Sequence, residues 1–247
     1  MMIKKTCYSQ NFSKKTRKFN DIKVIVIHYT GMQSKIVSIR RLLDIKKKVS
    51  CHYLIDRKGE ILRMVDDNKV AWHAGKSRWK NYVNLNRNSI GIELVNKGHK
   101  YGYEKFTNVQ INKLIKLCLN LKKKYKISNN NIVGHSDISP NRKQDPGEKF
   151  PWKKLNKHNL GIWYKEKMIN KIQYKNFKKK KKMMKKTFFR NLRTIGYRYC
   201  KISDGSTNNP LLIKAFQRRF NPNHVSGILD EKTLKISHFL ALQIKLT

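Results

Sequence analysis

Lys23-Val24-Ile25-Val26-Ile27-His28-Tyr29-Thr30-Gly31 decides how the rest of this 247-residue chain is read. The run has strand length, is apolar on both of its alternating faces, and ends at a glycine. Strands with two apolar faces lie inside sheets that are covered on both sides, so this one is expected to be central. His28 falls at its carboxyl end, where open α/β sheets place their ligands.

The flanking sequence continues the pattern. Ile36, Ile39, Leu42 and Leu43 are spaced as one face of a helix. His52–Asp56 and Ile61–Val65 read as a hairpin, with Asp56-Arg57-Lys58-Gly59 supplying the turn. Ala71-Trp72-His73-Ala74-Gly75 reads as a loop. Ser89–Val95 is a second long strand: Ile90, Ile92 and Leu94 share one face, Gly91 and Glu93 the other. A glycine beside a carboxylate leaves room there for a ligand or a backbone. Thr107–Tyr125 is the clearest helix. It opens with a capping-box pattern at Thr107 and Gln110 and carries a stripe of Ile111, Leu114, Ile115, Cys118, Leu121 and Tyr125. Ile132-Val133 is a short strand. Alternating strands and helices make an α/β domain that ends near Trp163.

That strand leads into Gly134-His135-Ser136-Asp137-Ile138-Ser139-Pro140-Asn141-Arg142-Lys143-Gln144-Asp145-Pro146-Gly147, whose prolines and glycines forbid a continuous helix. Pro146 biases Asp145 toward an extended conformation, which puts Lys143 and Asp145 on one side. With His28 from upstream, His135 and Asp145 make two imidazoles and a carboxylate, a ligand set for a catalytic metal with one open position for water. Glu93 could then take the water's proton and Lys143 could steady an oxyanion. Each residue has a plainer alternative. His28 could be a core histidine, Glu93 could pair with a lysine, and Lys143 with Asp145 could be a surface ion pair of little worth. His52 and His73 could be packing residues or line a groove.

Fifty-seven Lys and Arg against fifteen Asp and Glu give a net charge of +42. Either an anionic partner or a chain-wide composition bias explains it. Lys far outnumbers Arg, and Asn and Ile are plentiful, so we favour bias and expect no specific nucleic-acid partner. Cys7, Cys51, Cys118 and Cys200 form no CxxC pair, which argues against a disulfide framework or a cysteine zinc site. Met1–Asn20 has no apolar core of a secretory signal and no run is long enough to span a membrane. A cytoplasmic monomer is therefore expected, with the periplasm or cell envelope as the alternative compartment.

Lys165–Lys186 is dominated by lysine and reads as a solvated linker or charged helix face. Phe188, Leu192 and Ile195, then Leu212, Ile213, Phe216 and Phe220, then Leu234 and Phe239 outline three further helices. The organisation expected is a domain over 1–163, a linker over 164–187 and a small three-helix domain over 188–247.

Five motifs carry a resemblance to a known family: Val-Ile-His28-Tyr29-Thr-Gly, His52-Tyr-Leu-Ile-Asp-Arg-Lys-Gly, Ala-Trp72-His73-Ala-Gly, Asn-Ser-Ile-Gly-Ile-Glu93-Leu, and the 134–147 run. In this order, across Cys7 to Trp163, they resemble the zinc-dependent N-acetylmuramoyl-L-alanine amidases of the amidase-2 type, which share their fold with peptidoglycan recognition proteins. The likeness is greatest to the bacterial AmpD/AmiD-like branch. It implies a central mixed sheet flanked by helices. It also implies Zn2+ on His28, His135 and Asp145, catalytic Glu93 and Lys143, and Tyr29, His52, Trp72 and His73 toward the substrate. Catalytic recognition proteins commonly carry Cys as third ligand; here Asp145 stands there. The implied reaction is cleavage between N-acetylmuramoyl, or its 1,6-anhydro form, and L-alanine in peptidoglycan or muropeptides. A non-catalytic peptidoglycan-recognition protein is the alternative, and loss of a ligand or of Glu93 would mark it. Ala215–Phe220 and Gly227–Thr233 are similar to the three-helix peptidoglycan-binding domain that follows such catalytic domains; 201–209 is only loosely so. On this reading, the chain up to Trp163 should fold and work alone.

Overall fold

The computed structural model describes residues 2–4, 7–175, 177, 179–200 and 209–246. Among them, five strands form one sheet: β1 (Val24–Tyr29), β2 (Tyr53–Ile55), β3 (Ile61–Arg63), β4 (Ser89–Leu94) and β5 (Ile132–Gly134). Their order is β3-β2-β4-β1-β5. The β2–β3 hairpin is antiparallel and the other neighbours are parallel, so the sheet is mixed and β1 is interior. Asp56 shapes the hairpin turn, its Oδ1 accepting from the Lys58 and Glu60 N–H groups. The helices are α1 (Lys35–Leu43), α2 (Asn108–Tyr125), α3 (His135–Ile138), α4 (Trp152–Asn156), α5 (Glu166–Asn170), α6 (Lys181–Ile195), α7 (Pro210–Phe220) and α8 (Glu231–Lys245).

One face of the sheet is covered by α2. Ile25, Ile27, Ile90, Ile92, Leu94 and Ile132 pack on the stripe from Ile111 to Tyr125, with Cys118 buried among them. Thr107 caps α2 as expected, its hydroxyl accepting from the Gln110 N–H. The reciprocal half of the box does not form. Gln110 Nε2 instead donates to the Ile55 and Val95 carbonyls, pinning the helix to the ends of β2 and β4.

The other face is shared. Leu54 and Leu62 lie under Leu42 of α1. Val24, Val26 and Val133 lie under Phe188, Leu192, Phe216 and Phe220 of the C-terminal helices, in one continuous core. Between these covers runs a strip containing His28, Gly91 and Glu93. The three expected C-terminal helices do form. Asn209 Oδ1 accepts from the Leu212 N–H ahead of Pro210, and Asp230 Oδ1 accepts from the Thr233 N–H. They do not stand apart: they supply the second cover that the two-faced strand β1 demands. The segment 164–187 is likewise no simple solvated tether, since it contains α5 and the start of α6 and buries Ile169 and Met184. Lys181, Lys182 and Lys186 stay exposed as a charged helix face. The loosely matching stretch 201–208 lies outside the described residues. No described helix is long and apolar enough to cross a membrane.

Candidate metal centre and cleft

Parallel register puts His28 directly beside Glu93 at the carboxyl ends of β1 and β4. β5 delivers His135 at the start of α3, and the chain then returns through turns to Asp145. The Ser136 N–H donates to the Asp145 carbonyl at 2.8 Å. Ser139 and Arg142 tie the turn to the Lys76 carbonyl. His28 Nδ1, His135 Nδ1 and Asp145 Oδ2 thereby meet within 3.0–3.1 Å of one another, and all three side chains are buried.

The surrounding hydrogen bonds decide which ring nitrogens carry protons. The Leu85 carbonyl can only accept, so the Ser89 hydroxyl donates to it at 2.6 Å. His73 Nε2–H then donates to Ser89 Oγ at 3.1 Å, which leaves His73 Nδ1 as an acceptor. His28 Nε2–H donates to that nitrogen at 3.0 Å, leaving the lone pair of His28 on Nδ1. Independently, His135 Nε2–H donates to the Ala74 carbonyl at 3.2 Å, leaving its lone pair on Nδ1 as well. Three acceptors therefore face one another at about 3 Å with no proton to share. Such a set repels itself unless a cation lies among the lone pairs, and a fixed outward N–H on each ligating imidazole is the usual mark of a metal site.

Protonation agrees. Burial, helped by the neighbouring His135, pushes His28 down to about 4, so it is neutral at pH 7. Neutral imidazole and ionised carboxylate are the forms that bind metal. Glu93 behaves in the opposite way. Burial, and then the charge of Asp145, push it up to about 8 against the pull of Lys143. Its buried Oε2 has no hydrogen-bond partner among the described residues.

His135 also lines a cleft of about 430 Å³, together with Lys143, Trp72, His73, Asn86 and Arg142, among others. Trp72 and His73 thus lie on the cleft wall. His73 has both ring nitrogens engaged, and its imidazole fills the space beside Gly91: a Cβ at 91 would stand 2.3 Å from His73 Cγ. The room expected at Gly91 for a ligand or backbone is taken by this ring. His52 lies outside the cleft lining. It is fully buried, with Nδ1 accepting from the Gly91 N–H and Nε2 2.8 Å from Arg17. Tyr29 donates its hydroxyl to His99 Nδ1 at 2.8 Å, and His99 Nε2 reaches Glu148 at 3.1 Å. Sequence reading missed His99, Glu148, Ser89 and Arg17. The partners of His99, Glu148 and Arg17 lie many residues away, and no local spacing signals them.

A family model described as N-acetylmuramoyl-L-alanine amidase matches residues 18–148. AmiD from Escherichia coli K12 is 40% identical over 162 residues, 60% of this chain and 57% of AmiD. A solved complex of AmiD aligns over 94% of this chain and 92% of its own, with a TM-score of 0.77 and 30% identity. AmpD from Haemophilus influenzae is 35% identical over 164 residues, 59% of this chain and 86% of AmpD. The structure of AmpDh3 from Pseudomonas aeruginosa aligns over 98% of both chains with a TM-score of 0.81 and 30% identity. The sequence match to AmiD spans little more than half of that relative, whereas the fold match spans 92% of the solved AmiD chain. With a motif set, a sheet and a ligand cluster that agree, the chain belongs to the N-acetylmuramoyl-L-alanine amidase family.

Proposed function

We propose that this chain is a zinc amidase that hydrolyses the bond between the muramoyl lactyl group and L-alanine in muropeptides or peptidoglycan. The observation that carries the reading is the convergence of three acceptor atoms beside a buried carboxylate oxygen with no partner. The substrate class is supported by the AmiD complex, which holds anhydro-N-acetylmuramic acid-L-Ala-D-γ-Glu-L-Lys as its substrate.

His28 and His135 through Nδ1, and Asp145 through Oδ2, would hold the zinc. Bound there, zinc supplies Lewis acidity, polarising the scissile carbonyl and making water easier to deprotonate. Glu93 takes the proton of the attacking water and returns it to the leaving nitrogen of alanine. Its raised pKa means that the metal-free protein holds Glu93 protonated at neutral pH, unable to act as base. A nearby divalent charge favours the carboxylate, so metal loss disables the base as well as the electrophile. Lys143, half-buried on the cleft wall, offers its ammonium to the oxyanion. His73 holds the Nε2–H of His28 and so aims its lone pair inward. Trp72 offers a flat wall to the sugar or lactyl group. Every group comes from one chain, and we take the working unit to be a monomer. Digestion of intact sacculi and of anhydro-muropeptides, with zinc assayed in the same sample, tests the reading. Release of L-alanine-terminated peptides is expected, and binding without release would favour a recognition protein.

A further inference from the structure

We propose that the C-terminal helices position the metal-ligand loop, with Arg219 and Tyr197 acting as positioning residues through Asp137. This rests on the metal reading above. The loop 134–147 carries two of the three ligands and Lys143, yet little of it is regular structure. At its centre Asp137 is 1% exposed. Its Oδ2 accepts from the Gly134 N–H at 2.8 Å and from Arg219 Nη1 at 2.5 Å, and its Oδ1 accepts from the Tyr197 hydroxyl at 2.6 Å. One carboxylate thus joins the residue before His135 to α7 and to the chain just after α6.

Two further contacts fall along the same loop. Arg218 Nη2 donates to Gln144 Oε1 at 3.1 Å, one residue from Asp145, and Asn209 Nδ2 lies 3.5 Å from Asn141 Oδ1. Arg219 is itself fixed in place. Nη2 donates to the Ile132 carbonyl at the start of β5, and the guanidinium lies 4.1 Å from the Trp152 ring centroid. Tyr197 is held edge-on by Trp79, and the Lys80 N–H donates to the Gly196 carbonyl.

A buried ion pair is a poor device for stability alone, because desolvating both charges offsets most of their attraction. The apolar contacts of Phe188, Phe216 and Phe220 already hold the helices on the sheet. What the pair adds is direction: two aimed donors on a carboxylate two residues from a ligand fix where the first turn of α3 sits. A plain docking contact would lower stability without changing the affinity of the folded protein for metal, and that difference can be measured.

The test uses the full chain and zinc itself, with affinity read by competition against a chromogenic chelator and thermal unfolding of the metal-free protein read in parallel. Tyr197→Phe removes one donor and keeps the ring. Arg219→Met removes the charge, and Arg219→Lys restores a cation without the fork. Ile236→Val, in α8 and buried in the same helical unit, controls for stability loss. Outer partners of metal ligands typically change affinity about 10–100-fold. Tyr197→Phe should weaken zinc binding about tenfold, Arg219→Met more, and Arg219→Lys less than Arg219→Met. Ile236→Val should lower the melting temperature with zinc affinity unchanged. Should Arg219→Met not fold, Tyr197→Phe and Arg219→Lys still decide. Zinc affinity unchanged in folded Tyr197→Phe would overturn the positioning role and leave the metal reading intact. A wild-type protein that takes up no zinc would overturn both.

Discussion

His28 and the pair His135–Asp145 meet at one point but are held there by different means. His28 sits on an interior strand, paired on both sides, and its ring is set by a relay through His73 and Ser89 to the Leu85 carbonyl. His135 and Asp145 sit on a loop that the C-terminal helices and the chain after α6 grip from outside, through Asp137 and Gln144. A strand ligand needs only local geometry, because the sheet has already fixed its backbone. A loop ligand needs an external hold, and here part of that hold comes from residues more than fifty positions further along the chain.

The largest effect that would sharpen this contrast comes from ending the chain at Trp163. The sequence pattern suggests that the shorter chain folds and works alone. The shared core argues the other way, since the cut would expose Val24, Val26, Val133 and Ile138 and remove the donors of α7. We expect loss of cooperative unfolding by circular dichroism and no tight zinc site. A shorter chain that melts sharply and binds zinc like the full protein would break the contrast.

Next in size is the base. Glu93→Gln keeps the shape, and turnover of muropeptide should fall by about 10²–10⁴-fold with zinc affinity close to wild type. Wild-type turnover in that variant would remove Glu93 from the chemistry.

The relay comes third. His73→Leu deletes the acceptor for His28 Nε2–H, whereas His73→Asn places an amide oxygen near the same point. Zinc affinity should drop about 10–100-fold in the first and recover substantially in the second. Equal affinity in all three proteins would mean that the strand fixes His28 without help.

A fourth test reads pH dependence. In metal-free protein the unfolded chain releases the Glu93 proton near its ordinary pKa of 4.5, while the folded chain keeps it to about 8. The folded state therefore binds more protons in between, and its stability should fall as pH rises across that window and level off above it. Glu93→Gln lacks this slope, so its unfolding free energy relative to wild type should climb from pH 5 to 8. Parallel curves from chemical denaturation would show that Glu93 is not held protonated by burial.

The same contrast explains what could be read from the chain. β1, β4 and the stripe of α2 were legible because alternation and helical spacing report local burial, and the ligand types stood within recognisable motifs. The half-formed capping box at Gln110 was not, because the competing partners, the Ile55 and Val95 carbonyls, belong to other strands. Gly91 reads as leaving room for a ligand or a backbone, but the fold fills that room with the His73 ring. His52 shares a motif with its neighbours and is still buried away from the cleft, because the Gly91 N–H and the Lys69 carbonyl claim its nitrogens. The lysine-rich 164–187 reads as solvent-facing by composition, yet Ile169 and Met184 turn it inward. Asp137 looks like any turn residue until Tyr197 and Arg219 arrive.

Zinc titration into metal-free protein, with cleavage of an anhydro-muropeptide followed at each addition, tests the central claim most directly. Three acceptors that face one another without a proton require a cation to work, so turnover should be absent after chelation and rise linearly to a plateau at about one zinc per chain. Asp145→Ala should stay inactive throughout the titration. Full turnover by the metal-free wild type would contradict the account.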